Sequence, residues 1–443
     1  MFKRRKKNKQ PIFYADFTIG SIDAIFAKGN KESTFTRNNK ACTYIDKDKV
    51  MQVVTTANLP RFTDYVYTSS GIEAKKGLYI EGTQTNYIVH SIFDTDAGAG
   101  LATGWDDGGA GLAGSQTFSL VDITPTFNIG ASVNAQRIQY TGIAGDVNDD
   151  GGIAGTKTAN GSIVQNDTVT VQALIKGSGT GVTARFEISK FNVAAGFLGA
   201  ETSDDFIVSI SATEERRITF TAKMVDETLN NIRVDVRVKG IDSGDVYDIS
   251  IKNIMAEKNT YATSFIPTTI AAITRGAEVL KYETAGNRNA SVESCIVKVF
   301  PEYANGEQYY AVLTDSDTKG REVFFNNASN DVFVYPNITD SNPSAVFTLI
   351  NDSWSAFDPI TIGYNVQHSS PYVAGFYQGV PDGTNDTADD YTNPAWGTYF
   401  YIGCNDSSGN QLNGIIQEFA IWDDTLSAQQ HKQGYFNNKI RVY

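Results

Sequence analysis

Cysteine and histidine are nearly missing from this 443-residue chain, with three of each. Cys42, Cys295 and Cys404 are too few and too scattered for a disulfide framework or a zinc site. His90, His368 and His431 lie outside metal-ligand spacing of one another, which excludes zinc hydrolysis. No apolar run reaches the roughly 18 residues that a spanning helix needs, so no membrane insertion is expected. There is no G-x-S-x-G, hence no nucleophile elbow. Gly155-Thr156-Lys157-Thr158 lacks the spacing of a phosphate loop. Gly177-Ser178-Gly179-Thr180-Gly181 does not open a helix. Glycoside hydrolysis needs two carboxylates, about 5 Å apart for retention or about 6.5–9.5 Å for inversion. The alternating E-x-D-x-E that would put them on one strand face is absent. The pairs Asp149-Asp150, Asp389-Asp390 and Asp423-Asp424 sit among turn formers and read as solvated turn acids. The expectation is a protein that is not an enzyme.

What is present is β-forming. Twenty-two Tyr and 25 Phe accompany 39 Gly and only 4 Met, a balance suited to pleated surfaces joined by turns. At 443 residues, about three domains or two large ones are expected. Period-two alternation recurs at 169–175, 218–221, 232–238, 296–300, 323–325, 331–335 and 360–364, each stretch bounded by Gly, Asn, Asp or Ser. Many short strands with regular turns predict β-sandwiches. One helix start stands out: Ser427-Ala428-Gln429-Gln430 is a capping box, opening a short helix that stops near Gly434. Residues 94–115, rich in Gly, Ala and Asp, read as a linker or long loop. A Pro-Thr-Thr break within 256–276 separates two strand-rich regions.

Charge is uneven. The net is −13, yet residues 1–10 carry Lys3, Arg4, Arg5, Lys6, Lys7 and Lys9 and no acid. Asp16 and Asp23 interrupt the apolar stretch that a secretory signal would place next. A solvated tail and an anchor arm for an acidic partner surface both fit.

Certain segments resemble a known family. Phe35-Thr36-Arg37, Ala41-Cys42-Thr43-Tyr44-Ile45-Asp46, Asn58-Leu59-Pro60-Arg61-Phe62 and the run from Gly77 to Asn86 are similar to the opening of phage and prophage virion proteins. These are tail or fibre components with concanavalin A-like modules. Ala262-Thr263-Ser264-Phe265-Ile266-Pro267-Thr268-Thr269 and Thr274-Arg275-Gly276-Ala277 resemble the same family's junction. Tyr401-Ile402-Gly403-Cys404, the run from Leu412 to Trp422, and Leu426-Ser427 resemble the ending of laminin-G-like domains. Phe376-Tyr377-Gln378-Gly379-Val380 falls where that fold has a hairpin, with Gln378 departing from the usual Asn or Asp. Residues 116–258 resemble a carbohydrate-binding jelly roll, closing on the strand Val246 to Ile254.

The resemblance implies an all-β fold of two β-sandwich (jelly-roll) domains, with a basic arm at 1–10. A concanavalin A-like sandwich would be split between 11–92 and 265–443, and interrupted by a carbohydrate-binding-module-like jelly roll at 93–264. It implies a virion structural protein on the external surface of a phage particle: a fibre, decoration or tail component, homo-oligomeric. Such a protein would dock on other virion proteins through the arm and bind host surface glycans weakly. A purely architectural protein and a glycoside hydrolase are the alternatives. Sugar stacking would fall to loop aromatics, with Trp354, Trp396, Tyr372, Tyr377, Tyr391 and Trp105 as candidates; core burial is the competing fate of each. Trp422 alternates with Ile421 and reads as packing. Asp146-Val147-Asn148-Asp149-Asp150-Gly151 fits the first half of a calcium loop. Lys157 at the twelfth position excludes an EF-hand. A structural calcium on Asp146, Asn148 and Asp150 and a plain acidic turn both remain open.

Overall fold

The computed structural model describes residues 10–37, 42–54, 56–93, 96–108, 115–122, 127–128, 134–141, 151–179, 183–207, 211–239, 246–289, 291–302, 308–312, 320–326, 331–339, 342–343, 347–349, 356–367, 372–381, 398–404 and 411–436. The fold is all-β, built of antiparallel sheets packed face to face. Each alternating stretch singled out in the sequence lies in a strand; 169–175, for example, falls within Thr168–Gly179 and 232–238 within Leu229–Lys239. The 94–115 stretch departs from the expected loop. It contains the strands Asp96–Gly98, Leu101–Ala102 and Trp105–Asp107, the last paired with Gly151–Gly155. Small residues there hide a strand that Trp105 anchors, its ring packed tilted on Phe93.

One sandwich draws its strands from both ends of the chain. Phe13–Asp16 and Gly71–Ile80 both pair with Gly414–Trp422, which pairs in turn with Val292–Pro301. In the facing sheet, Ser33–Thr36 pairs with Val279–Glu283, and Val279–Glu283 with Tyr399–Ile402. Phe13, Leu78, Leu280, Val297, Ile362, Phe400 and Phe419 fill the space between the two sheets. The middle of the chain forms a second sandwich. Its five-stranded sheet runs Ser115–Asp122, Asn134–Thr141, Val246–Lys258, Thr168–Gly179, Ser211–Lys223, and its six-stranded partner centres on Leu229–Lys239 and Thr183–Asn192. Val171, Phe186, Val234 and Ile249 lie in its core. The chain leaves the first sandwich along Gln84–Asn86 and returns along Ile273–Arg275, and these two strands pair with each other.

Two local features follow directly from residue chemistry. Tyr372–Tyr377 and Val380–Pro381 form a hairpin through Gln378 and Gly379, both at positive φ. That is the pairing a two-residue turn requires, and Gln378 takes the place usually given to Asn. The C-terminal helix spans Ala428–Phe436. Its start is the expected box, with Gln430 N–H donating to Ser427 Oγ and Ser427 N–H to Gln430 Oε1. Gly434 lies inside the helix instead of ending it. His431 is buried, stacked on Phe376 with ring centroids 3.7 Å apart.

Where the chain crosses between sandwiches, five charged side chains are buried together. All five N–H groups of Arg61 are used: on Glu278 Oε1 (2.8 Å), Glu278 Oε2, Glu81 Oε2 (2.6 Å), Thr43 O and Ser264 Oγ. Arg37 reaches Glu278 at 3.1 Å and Arg275 reaches Glu81 at 3.0 Å. Ser264 N–H donates to Glu81 Oε1 at 2.7 Å. Removing one member of a buried pair leaves the other charge without compensation, a loss of about 3–5 kcal/mol. Arg61→Met is therefore expected to destabilise the protein by about that amount in urea titration, whereas Lys47→Met, at an exposed pair, is expected to leave the urea midpoint unchanged.

Candidate functional site

The contact between the two sandwiches is apolar at its centre and open at its margin. Ile45, Met51 and Tyr67 of the first meet Ala135, Leu174 and Met255 of the second, with Phe265 and Ile266 of the returning chain between them. Beside this contact lies a cleft of about 550 Å³. One wall is the outer face of the five-stranded sheet. On Ser211–Lys223, the side chains of Ile218, Phe220 and Ala222 turn inward to the core, so Arg217, Thr219 and Thr221 project from the opposite face. Thr221 lies opposite Thr170, their hydroxyl oxygens 2.8 Å apart. The other wall is the hairpin joining Phe62–Thr68 to Gly71–Ile80, which contributes Tyr67, Ser69, Ser70, Glu73 and Lys75. Tyr261 and the segment 356–358 close the ends.

Two contacts hold the walls in register. Tyr67 Oη donates to Glu215 Oε2 at 3.2 Å, and Glu215 also pairs with Lys252 at 2.6 Å. At the floor, Arg217 from the second sandwich donates through Nη1 to Glu302 of the first; its Nε donates to Gln172 Oε1 at 2.6 Å and its Nη2 to Thr263 O at 2.7 Å. Glu302 is 5% exposed, and among the described residues its Oε2 has no hydrogen-bond partner. Burial pushes its carboxyl up to about 7 against the pull of Arg217, and Glu81 adds to the rise. The lining is thus rich in hydroxyls, carries two tyrosines, and places a cation–carboxylate pair at its base.

Of the loop aromatics named in the sequence, Trp105 and Tyr377 have described side chains, and neither lines the cleft. Trp105 is 3% exposed, and its Nε1 donates to the carbonyl of His90 at 3.0 Å. The ring lies in the core of the second sandwich and offers no face to a sugar. Tyr377 packs half-buried against the first core. Tyr372 starts the Tyr372–Tyr377 strand, opposite Gln367. Trp354, Tyr391 and Trp396 lie outside the described residues, as do Asp146, Asn148, Asp150 and the basic residues Lys3, Arg4, Arg5, Lys6, Lys7 and Lys9. Among the described residues, no group of three His, Cys, Asp or Glu side chains is placed to hold a metal, and no helix is long and apolar enough to cross a membrane. Tyr67, Arg217, Thr219, Thr221, Tyr261 and Glu302 went unnoticed as site residues. The one available signal was the polar phase of the alternation at 218–221.

No family model matches the chain, and no curated protein matches it. Solved structures resemble parts of it. NanB, in a structure with Optactamide, is 12% identical over 34% of this chain and 26% of its own, at a TM-score of 0.30. A native heptameric SAP-like pentraxin from Limulus polyphemus is 13% identical over 34% of this chain and 72% of its own, at 0.27. The Ruminococcus gnavus IT-sialidase CBM40, solved bound to alpha2,3 sialyllactose, is 13% identical over 34% of this chain and 90% of its own, at 0.28. Nothing about ligand or chemistry transfers at that level of likeness.

Next to the floor, Glu257 is fully buried and receives Thr263 N–H at 2.8 Å and Thr263 Oγ–H at 2.9 Å. Burial pushes its carboxyl from 4.5 up to about 8. Unfolded chain releases this proton near 4.5 and folded chain only near 8, so the group's contribution to stability falls as pH rises between those values. Measured against Glu257→Gln, the wild type is expected to lose stability from pH 5 to pH 8 by up to about 1.4 kcal/mol per pH unit. Parallel stability curves for the two proteins would sink that assignment.

Proposed function

We propose that this protein is a non-catalytic glycan-binding component of a phage particle, and that the cleft between its two sandwiches is the binding site. The observation that carries the binding reading is the cleft lining. Clefts at domain contacts with a few convergent polar groups are the usual place for small ligands. Here the polar groups are hydroxyls of Thr170, Thr219, Thr221, Ser69 and Ser70, beside Tyr67 and Tyr261. Sugar hydroxyls exchange hydrogen bonds with such groups, and tyrosine rings offer apolar faces to pyranose C–H groups. The non-catalytic part is supported by the pairing of two of the three acids that line the cleft: Glu302 with Arg217, and Glu73 with Lys75 at 3.4 Å. The virion setting is supported by the sequence resemblance at 35–92 and 262–276.

A shallow site of this kind binds at about −4 to −8 kcal/mol, millimolar to micromolar, and many copies on one particle supply avidity. A multivalent form is expected to bind host surface glycans that the monomer binds weakly, without release of reducing ends. Thr219→Arg, which projects a long charged side chain across the cleft from an exposed strand position, is expected to abolish that signal while the melting temperature stays within about 2 °C. A silent array for the multivalent wild type leaves a purely architectural protein, and released reducing ends restore the hydrolase. The arm has its own test. Deleting residues 2–9 is expected to give folded protein that no longer joins the particle; incorporation at normal copy number would rule out the anchor.

A further inference from the structure

A second, smaller hollow adjoins the cleft. It has a volume of about 50 Å³ and shares Tyr67, Arg217 and Glu302 with the cleft. Its other walls include Tyr65, Leu174 and Phe265. It is too small for a sugar ring, given that ligand pockets run to about 300 Å³ or more. It exceeds the roughly 10–15 Å³ that a single water needs. Its volume and lining suit one small, partly apolar substituent.

The hydrogen-bonding inventory says what that substituent carries. Two lining residues have a buried oxygen with no partner among the described residues: Glu302 Oε2 and Asn253 Oδ1. Asn253 Oδ1 is an acceptor, as is Glu302 Oε2 when the carboxyl is ionised, so the missing partners are donors. Asn253 is placed there by a departure from regular strand geometry. Opposite the single residue Ala173, the strand Val246–Lys258 has two residues, Asn253 and Ile254, because Gln172 pairs with Met255 and Leu174 with Lys252. In this β-bulge, which re-aims side chains, Asn253 takes φ +57° and is 2% exposed. Its Nδ2 meets only the Met51 sulfur, a weak acceptor, among its described contacts. A strained backbone and a buried, unpaired carbonyl oxygen meet at one residue facing one cavity. Such strain clusters at ligand sites.

We propose that this cavity receives the acetamido group of a 2-acetamido sugar, with its N–H donating to Asn253 Oδ1 and its methyl against Tyr65, Leu174 and Phe265. Glu302 Oε2 takes a hydroxyl of the same ring. The acetamido carbonyl has donors available, since three of the five N–H groups of Arg217 have named acceptors. The assignment rests on the glycan-binding reading of the cleft and names its ligand class.

The test uses matched sugars that differ only in the C2 substituent: chitotriose against cellotriose, and methyl N-acetylgalactosaminide against methyl galactoside, titrated into the full chain by calorimetry. The N-acetylated member of a pair is expected to bind about tenfold tighter or more, the worth of one satisfied buried hydrogen bond. Asn253→Gly suits the positive φ, so the variant keeps the fold, and the preference within each pair is expected to vanish. Leu174→Phe, which fills the cavity from its apolar side, is expected to do the same by an independent route. Equal affinity within both pairs overturns the acetamido assignment and leaves glycan binding standing. Preference retained in both variants places the acetamido group elsewhere and overturns it too. Binding of neither member of either pair overturns the cleft reading and this inference together.

Discussion

Arg61 has all five N–H groups satisfied inside the protein, and the rest of the architecture depends on that one side chain. A guanidinium taken out of water is tolerated only when its donors and charge are both answered. The answers come from distant parts of the chain: Thr43 and Glu81 from the N-terminal segment, Ser264 from the returning crossover, Glu278 from the strand region that re-enters the first sandwich. Each of these partners is correctly placed only when both halves of the split sandwich have come together. The cluster therefore couples completion of one domain to the position at which the other is inserted. Glu81 shows the strength of the coupling: against its burial, Arg275 and Arg61 hold its carboxyl down at about 2.

That coupling reaches the cleft. Glu302 and Arg217 form a further buried pair, and they join residues from different sandwiches. The charge on Glu81 contributes to the upward push on Glu302. Tyr79 lies between the two groups of charges, its ring under the Arg61 guanidinium at 4.9 Å. One polar seam thus runs from the crossover to the cleft floor, flanked by the apolar contact of Ile45, Met51, Leu174 and Met255. The apolar contact supplies non-directional attraction, while the charged pairs fix the register in which the two faces meet. Buried ion pairs add little net stability over apolar substitutes, but they penalise a misplaced partner heavily.

The strands were legible because their chemistry is local. Alternation on Thr168–Gly179 or Leu229–Lys239 reports one buried face, and no distant information is needed to see it. The Trp105 strand was missed because glycine, alanine and aspartate mask it; its burial depends on Phe93 and on a pairing with Gly151–Gly155. The resemblance segments have a physical explanation in the buried cluster: Arg37, Arg61, Glu81, Ser264 and Arg275 lie in them and meet in space. Those motifs report how the chain is clamped, not what it binds. The cleft left no compact trace because its walls come from 67–75, 170, 217–221, 260–262, 302 and 356–358. Thr219 and Thr221 look in sequence like the solvated phase of any half-buried strand. The tyrosines of the cleft lie outside the aromatic-bearing loops: Tyr67 on a strand and Tyr261 in the crossover.

A site whose walls belong to different domains is precise only if the domains do not move relative to each other. Contacts between domains of one chain are commonly polar and leave the domains mobile. Here an apolar centre, the Tyr67–Glu215–Lys252 contact and the Arg217–Glu302 pair all cross the same boundary. Holding the walls in place before a ligand arrives removes part of the ordering cost that binding otherwise carries. A hydroxyl-lined cleft gains little from each hydrogen bond, since every one replaces a bond to water. In the glycan-binding reading proposed above, useful affinity would come from low reorganisation and from repetition across copies. The buried cluster at the crossover fixes the chain path that sets the cleft, so under the proposed reading the cleft would be weak in each contact without being loose.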